Sequence, residues 1–212
     1  MYFIQGDSFP DPRLTDQEGL LAIGGDLQIS TLVKAYSMGI FPWYNEDEPI
    51  LWWCPDPRLV LFPKEIKVSK SMKQLLKKGE FEFSINTDFE AVIRHCRNTR
   101  VEDGTWISED IIQAYLNLHE EGFAHSFEVR KNNELVGGLY GIGLGKVFFG
   151  ESMFSLMSNA SKAALIFLCL HAMQEGIELI DCQQSTSHLQ SMGAREISRD
   201  DFLELLEELI EE

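Results

Sequence analysis

Residues 146–182 read KVFFGESMFSLMSNASKAALIFLCLHAMQEGIELIDC. From Lys146 to Phe154 the run holds Val147 and three phenylalanines and reads as a strand. Ser158 and Asn159 are capping candidates, Ala160 to Glu175 has the length and composition of a helix, and Gly176 ends it. Ile177 to Cys182 then alternates as a second, short strand. Strand, helix and strand in this order imply a right-handed crossover that lays the second strand parallel to the first.

Upstream, Ala124 to Arg130 and Glu134 to Tyr140 are further strand-like runs, broken at Asn132-Asn133 and at Gly141 to Gly145, and they predict an antiparallel meander. Helical periodicity marks Ser69 to Lys78, Asp88 to Arg97 and Glu109 to Glu121, the last capped by Ser108, and Asp201 to Leu209 closes the chain as an amphipathic helix. The fold class is therefore α+β with a mixed sheet, in the order α-α-β-β-β-α-β-α from Asp88 onward, an order that resembles the GNAT acyltransferase fold. All seven prolines lie at or before Pro63, which predicts a small, loop-rich N-terminal domain over residues 1–63 and a larger domain over 64–212. One helix is expected in the small domain, Thr31 to Met38, with Ser30 as N-cap and Gly39 past its end.

The net charge of −16 argues against a nucleic-acid binder only if it is evenly spread. From Arg58 to Lys78 the chain carries seven cations against Glu65, with Arg94, Arg97 and Arg100 following, whereas from Glu196 to Glu212 eight acids face only Arg199. Such polarity suits one polyanionic and one cationic partner; solvated helix faces are the plainer reading. Cys54, Cys96, Cys169 and Cys182 lack the spacing of a zinc site and fit a reducing cytoplasm, and the five histidines have no metal-ligand spacing among themselves. No metal or membrane anchor is expected, the longest apolar run, Ala163 to Leu170, being too short to span a bilayer.

Chemistry concentrates where the first strand of the quoted stretch ends. Phe148 to Ser155 supplies an acid, hydroxyls and a glycine at the carboxyl end of a strand just before a helix, and the parallel strand delivers Asp181-Cys182-Gln183-Gln184 to the same edge. Glu151 and Asp181 can then converge as a general base with an orienting group, or simply cap backbone amides. The strand-to-helix connection lacks the Gly-x-Gly that cradles a pyrophosphate, which disfavours coenzyme A, and neither a P-loop nor a Gly-x-Ser-x-Gly elbow occurs. Tyr36, Phe41, Trp43, Tyr44, Trp52 and Trp53 crowd the N-terminal domain; they can stack on bases or, as preferred for Trp52 and Trp53, dock that domain on the sheet.

Several blocks together resemble one family. Gly19 to Leu27, Gly39-Ile40-Phe41-Pro42-Trp43, Ile50 to Arg58, Gly104-Thr105-Trp106-Ile107, Gly150 to Ser155, Asn159 to Lys162 and Ile180-Asp181-Cys182-Gln183 are similar, in order and spacing, to the leucyl/phenylalanyl-tRNA protein transferases. The resemblance implies transfer of Leu, Phe or Met from aminoacyl-tRNA to proteins with N-terminal Arg or Lys, marking them for N-degron proteolysis, by a cytoplasmic monomer without cofactors. It implies catalytic roles for Asp181 and Gln183, which activate the attacking amine, and donor-site roles for Glu151 and Ser155. It places the donor side chain among Leu139, Met153, Leu165, Leu168, Ala172 and Ile180, and the terminal adenosine among Tyr36, Trp43, Trp106 and Tyr115. The basic segment, with Lys67, Lys70, Lys73 and Lys77, is expected to hold tRNA phosphates. An acetyl-CoA enzyme of the same fold and a non-catalytic RNA- or degron-binding module are the alternatives.

Overall fold

The computed structural model describes residues 2–99 and 105–210; Arg100, Gly104, Glu211 and Glu212, which enter the readings above, lie outside them. The first sheet combines β1 (Tyr2–Ile4), β2 (Leu20–Gly24), β3 (Phe41–Pro42) and β4 (Leu51–Trp53) in the order β1-β2-β4-β3. Pro42 falls on an edge strand, where a missing N–H costs least. Helix α1 (Ile29–Ser37) begins earlier than expected, and Ser30 is not its cap. Instead Asp26 Oδ1 accepts from the Gln28 N–H at 3.0 Å and the Thr31 hydroxyl at 2.6 Å. Trp52 is fully buried and donates its indole N–H to Gly24 O at 2.8 Å, while Trp53 packs edge-on against Trp43.

The second sheet holds β5 (Arg58–Leu61), β6 (Glu82–Ile85), β7 (Ala124–Lys131), β8 (Glu134–Leu144), β9 (Val147–Ser155), β10 (Leu179–Gln183) and β11 (Arg195–Ile197), in the order β11-β5-β10-β9-β8-β7-β6. β6 to β9 form the antiparallel meander, and β10 returns parallel to β9 after helix α5 (Ala160–Glu175). Helix α2 (Lys70–Lys77) shares the apolar cluster of α5 on one face of this sheet; α3 (Phe89–Asn98), α4 (Glu109–Glu120) and the small sheet cover the other. The short α6 (Ser187–Ser191) follows β10, and α7 (Arg199–Ile210) ends the described chain. Among the described residues no helix is long and apolar enough to cross a membrane.

Two differences from the sequence reading matter for the site. Residues 58–61, read as part of the N-terminal domain, form a strand of the large sheet between β10 and β11, so that sheet starts before the boundary at residue 63. All four residues are buried, and such a strand shows no alternation to reveal it. The glycine run from Gly141, read as a break, belongs to β8; a Cβ on Gly141 would collide with the carbonyl oxygen of Phe149 on the neighbouring strand. Gly39 keeps its expected turn role at φ 73°, and it also lets α7 approach, since a Cβ there would meet the Phe202 ring at 2.9 Å.

Candidate active site

The parallel ladder between β9 and β10 stops at Phe149 opposite Asp181, and both strands bulge at that point. On β9, Tyr140 faces Ser152 and Gly141 faces Gly150, leaving Glu151 as the extra residue. On β10 the register slips between Asp181 and Gln183. Bulges of this kind re-aim side chains and end pairing. The opened edge borders a cavity of about 690 Å³, whose lining also includes Phe41 and Pro42 of β3, the adjoining Trp43, and Trp106.

Glu151 lines that cavity yet is buried. Its Oε1 accepts from the Tyr36 hydroxyl at 2.7 Å and from Gln183 Nε2 at 2.8 Å, and its Oε2 from the Tyr115 hydroxyl at 3.0 Å. Burial pushes the carboxyl up to about 7, with the Asp181 charge adding and the three donors opposing. Burial, and then the Glu151 charge, raise Tyr36 and Tyr115 well above the ordinary tyrosine range, so both remain hydroxyl donors. A carboxylate has about four acceptor positions. Three are engaged, the Tyr36 and Tyr115 hydroxyls also meet each other, and one position on Oε2 has no partner among the described residues.

Asp181 does not line the cavity. It is fully buried and receives Arg58 Nε at 2.8 Å and Nη2 at 2.6 Å, and its Oδ1 also accepts the Gln183 N–H at 2.9 Å. Burial opposes the guanidinium charge, but the Asp181 carboxylate outweighs it and the Arg58 pKa is raised. Asp181 is thus held in a buried ion pair behind the cavity, and Glu151 is the carboxyl at this edge that reaches its lining.

The apolar part of the lining contains Leu139, Met153, Leu165, Leu168 and Ile180. Ala172, one turn beyond Leu168 on the same helix face, is fully buried and outside the lining, since the cavity ends before that turn. Ser155 is also outside: its hydroxyl donates to Met157 O at 2.7 Å and accepts the Ser161 N–H at 3.3 Å, closing the turn into α5. The four aromatics divide, with Trp43 and Trp106 lining the cavity and Tyr36 and Tyr115 standing behind Glu151. Lys67, Lys70, Lys73 and Lys77 are exposed. The cationic run is otherwise smaller than its count, since Arg58 is buried and Arg94 and Arg97 both pair with Glu109.

Two unpaired polar groups at the cavity and the buried place of Arg58 have no local signal in the sequence. The Ser152 hydroxyl is buried and has no partner among the described residues, as is His188 Nε2, and both residues line the cavity. Burial, assisted by the Lys162 charge, lowers the His188 pKa and so favours the neutral ring. Arg58 was counted only as surface charge. Its place beside an acid 123 positions away left no local signal.

Comparisons with known proteins agree along the chain. The family model described as leucyl/phenylalanyl-tRNA protein transferase matches residues 60–207, and the model of that family's N-terminal domain matches residues 25–56. The leucyl/phenylalanyl-tRNA--protein transferase of Nitrosospira multiformis is 54% identical over 212 residues, covering 98% of this chain and 91% of that protein. The protein of the same name from Flavobacterium johnsoniae is 53% identical over 209 residues, covering 97% and 99%. Likenesses to solved structures are looser and carry no argument: L-PGS from Bacillus licheniformis gives a TM-score of 0.44 at 10% identity over 78% of this chain and 53% of that one. With both family models in sequence order and relatives more than half identical over nearly the whole length, the chain belongs to the leucyl/phenylalanyl-tRNA protein transferase family and is an aminoacyltransferase that acts on protein N-termini.

Proposed function

We propose that this enzyme transfers Leu, Phe or Met from aminoacyl-tRNA to proteins beginning with Arg or Lys, and that Glu151 takes up the proton released by the attacking amine. The observation that carries this reading is the one open acceptor position on a buried carboxylate at the cavity wall. The aminoacyl ester is already activated, so catalysis reduces to alignment, proton removal and oxyanion stabilisation. The amine nitrogen attacks the ester carbonyl and the new C–N bond forms. Its proton passes to Glu151 Oε2, the bond to the ribose oxygen breaks, and that oxygen recovers the proton as a hydroxyl. Gln183, tied through Nε2 to Glu151, presents its carbonyl oxygen to the incoming amine. Ser152, with its unpartnered hydroxyl, is the donor for the developing oxyanion.

The apolar wall of Leu139, Met153, Leu165, Leu168 and Ile180 holds the donor side chain, and such walls discriminate by only about 1–3 kcal/mol per methylene, which admits all three donors. Trp43 and Trp106 flank the terminal adenosine, where base stacking contributes about 1–3 kcal/mol. Lys67, Lys70, Lys73 and Lys77 meet tRNA phosphates without reading sequence. The enzyme works as a monomer in the cytoplasm, where thiols such as those of Cys54 and Cys169, both buried, stay reduced. Incubation with labelled Phe-tRNA and an Arg-initiated peptide tests the reading. Label should move to the peptide and not to one with a blocked N-terminus, and failure to move with any of the three donors would overturn it.

A further inference from the structure

The steps above use Glu151 and Gln183 and leave a fully buried arginine beside them without a task. Stability is a weak reason for it, because a buried ion pair replaced by apolar residues of similar volume is often neutral or stabilising. Arg58 enters from β5, whose register sets Val60 opposite Asp181 and Leu59 opposite Gln183. Its guanidinium carbon lies 4.8 Å from the centre of the Phe41 ring and 4.5 Å from that of Phe202. Phe41 belongs to the small sheet and Phe202 to α7, so parts of the molecule far apart in sequence fix the plane of one guanidinium. The fork in turn fixes both oxygens of Asp181.

Asp181 then acts on Gln183. The Oδ1 that receives Arg58 Nε also receives the Gln183 N–H, and Gln183 sits at φ 62°, in the left-handed region that a residue with a Cβ rarely adopts. That turn sends the Gln183 amide across to Glu151 Oε1. We propose that Arg58 is a positioning residue: by clamping Asp181 in two directions it holds Gln183 in its left-handed turn and so fixes the amide that orders Glu151 and the attacking amine. The aromatic sandwich makes the packing of α7 onto the small sheet part of the same device. Around Glu151 stand Tyr36 from α1, Tyr115 from α4 with Tyr140 of β8 behind it, Gln183 and Asp181 from β10, and the Arg58 charge from β5. Only the Gln183 bond depends on the fork geometry rather than on the charge of Arg58.

The test compares Arg58→Lys, Gln183→Leu and the double variant with the wild type, in steady-state transfer from Phe-tRNA to one Arg-initiated peptide. Lysine keeps the charge and loses the two-point fork. In Arg58→Lys, kcat should fall roughly 10- to 100-fold while KM for Phe-tRNA stays within about twofold. The rising limb of kcat near pH 7 should move up by about half a pH unit or more, because Glu151 loses a donor to its charged form. Gln183→Leu should give the same displacement, and adding Arg58→Lys to it should change neither quantity further. A folded Arg58→Lys with wild-type kcat or an unmoved limb overturns the inference, as does a double variant whose losses multiply. If Arg58→Lys does not fold, Phe202→Leu decides by the same readouts: a smaller upward move supports the inference and an unmoved limb overturns it. The inference rests on Glu151 as the titrating group; a wild type without a limb near pH 7 defeats that reading, whereas a wild-type limb that Arg58→Lys leaves in place defeats only the inference.

Discussion

Glu151 on β9 and Asp181 on β10 flank the same opening in the sheet, and both are buried, but they are held in opposite ways. Asp181 faces a guanidinium, which pairs its charge at close range through two hydrogen bonds. Glu151 faces two tyrosine hydroxyls and an amide, none of which brings a charge, so burial dominates and the carboxyl moves to about 7. Similar depth therefore leaves one carboxylate locked in an ion pair and raises the pKa of the other. The type of partner sets the role.

Single substitutions should pull these roles apart. Glu151→Gln keeps shape and loses the acceptor, and transfer should fall by about 10²–10⁴, with Phe-tRNA affinity little changed. Asp181→Asn leaves the Arg58 charge buried without its counter-ion, and removing one partner of such a pair costs about 3–5 kcal/mol of stability. A denaturation series in which Glu151→Gln lost more stability than Asp181→Asn would break the comparison.

The stability of the fold gives an independent check. Between about 4.5 and about 7 the folded Glu151 holds a proton that the unfolded chain has released, so folding takes up a proton in that window and stability falls as pH rises through it. A displacement of this size corresponds to about 3 kcal/mol. Glu151→Gln lacks the effect, and the mutant should gain on the wild type by about 2–3 kcal/mol between pH 4 and pH 8 in urea titrations. A constant difference across that range would show that the carboxyl is not held neutral.

Two smaller effects sharpen the contrast between lining and core. Leu168→Phe should narrow the cavity and reduce Phe transfer more than Leu transfer, within the about 1–3 kcal/mol that apolar pockets discriminate. Ala172→Phe should instead overpack the core and lower stability by about 1–3 kcal/mol, without changing the Phe to Leu ratio. Replacing Lys70, Lys73 and Lys77 by Glu should weaken binding of any tRNA alike and flatten its logarithmic salt slope by about 2–3. An unchanged slope would place the tRNA elsewhere.

Much of the frame was legible because it is local. The crossover through α5 and the meander from β7 to β9 follow from periodicity and glycine stops, and the family blocks pointed to the edge where Glu151 and Gln183 meet. What stayed hidden depends on contacts without local pattern. The Arg58 to Asp181 pair links β5 to β10, the tyrosine pair comes from α1 and α4, and Ala172 shares the helical spacing of Leu168 while facing the core. Periodicity names the buried face of a helix; it does not say which part of that face borders a cavity.

The most direct test is the titration of Glu151 itself, followed by carbon NMR on protein labelled at the glutamate side-chain carboxyl, with Glu151→Gln identifying the resonance. The expected midpoint is about 7, well above the ordinary glutamate value of 4.5. A midpoint at or below 4.5 would contradict the assignment, because a carboxyl that is already fully ionised and well solvated at pH 6 would not be the group that burial has tuned to receive the proton of the amine.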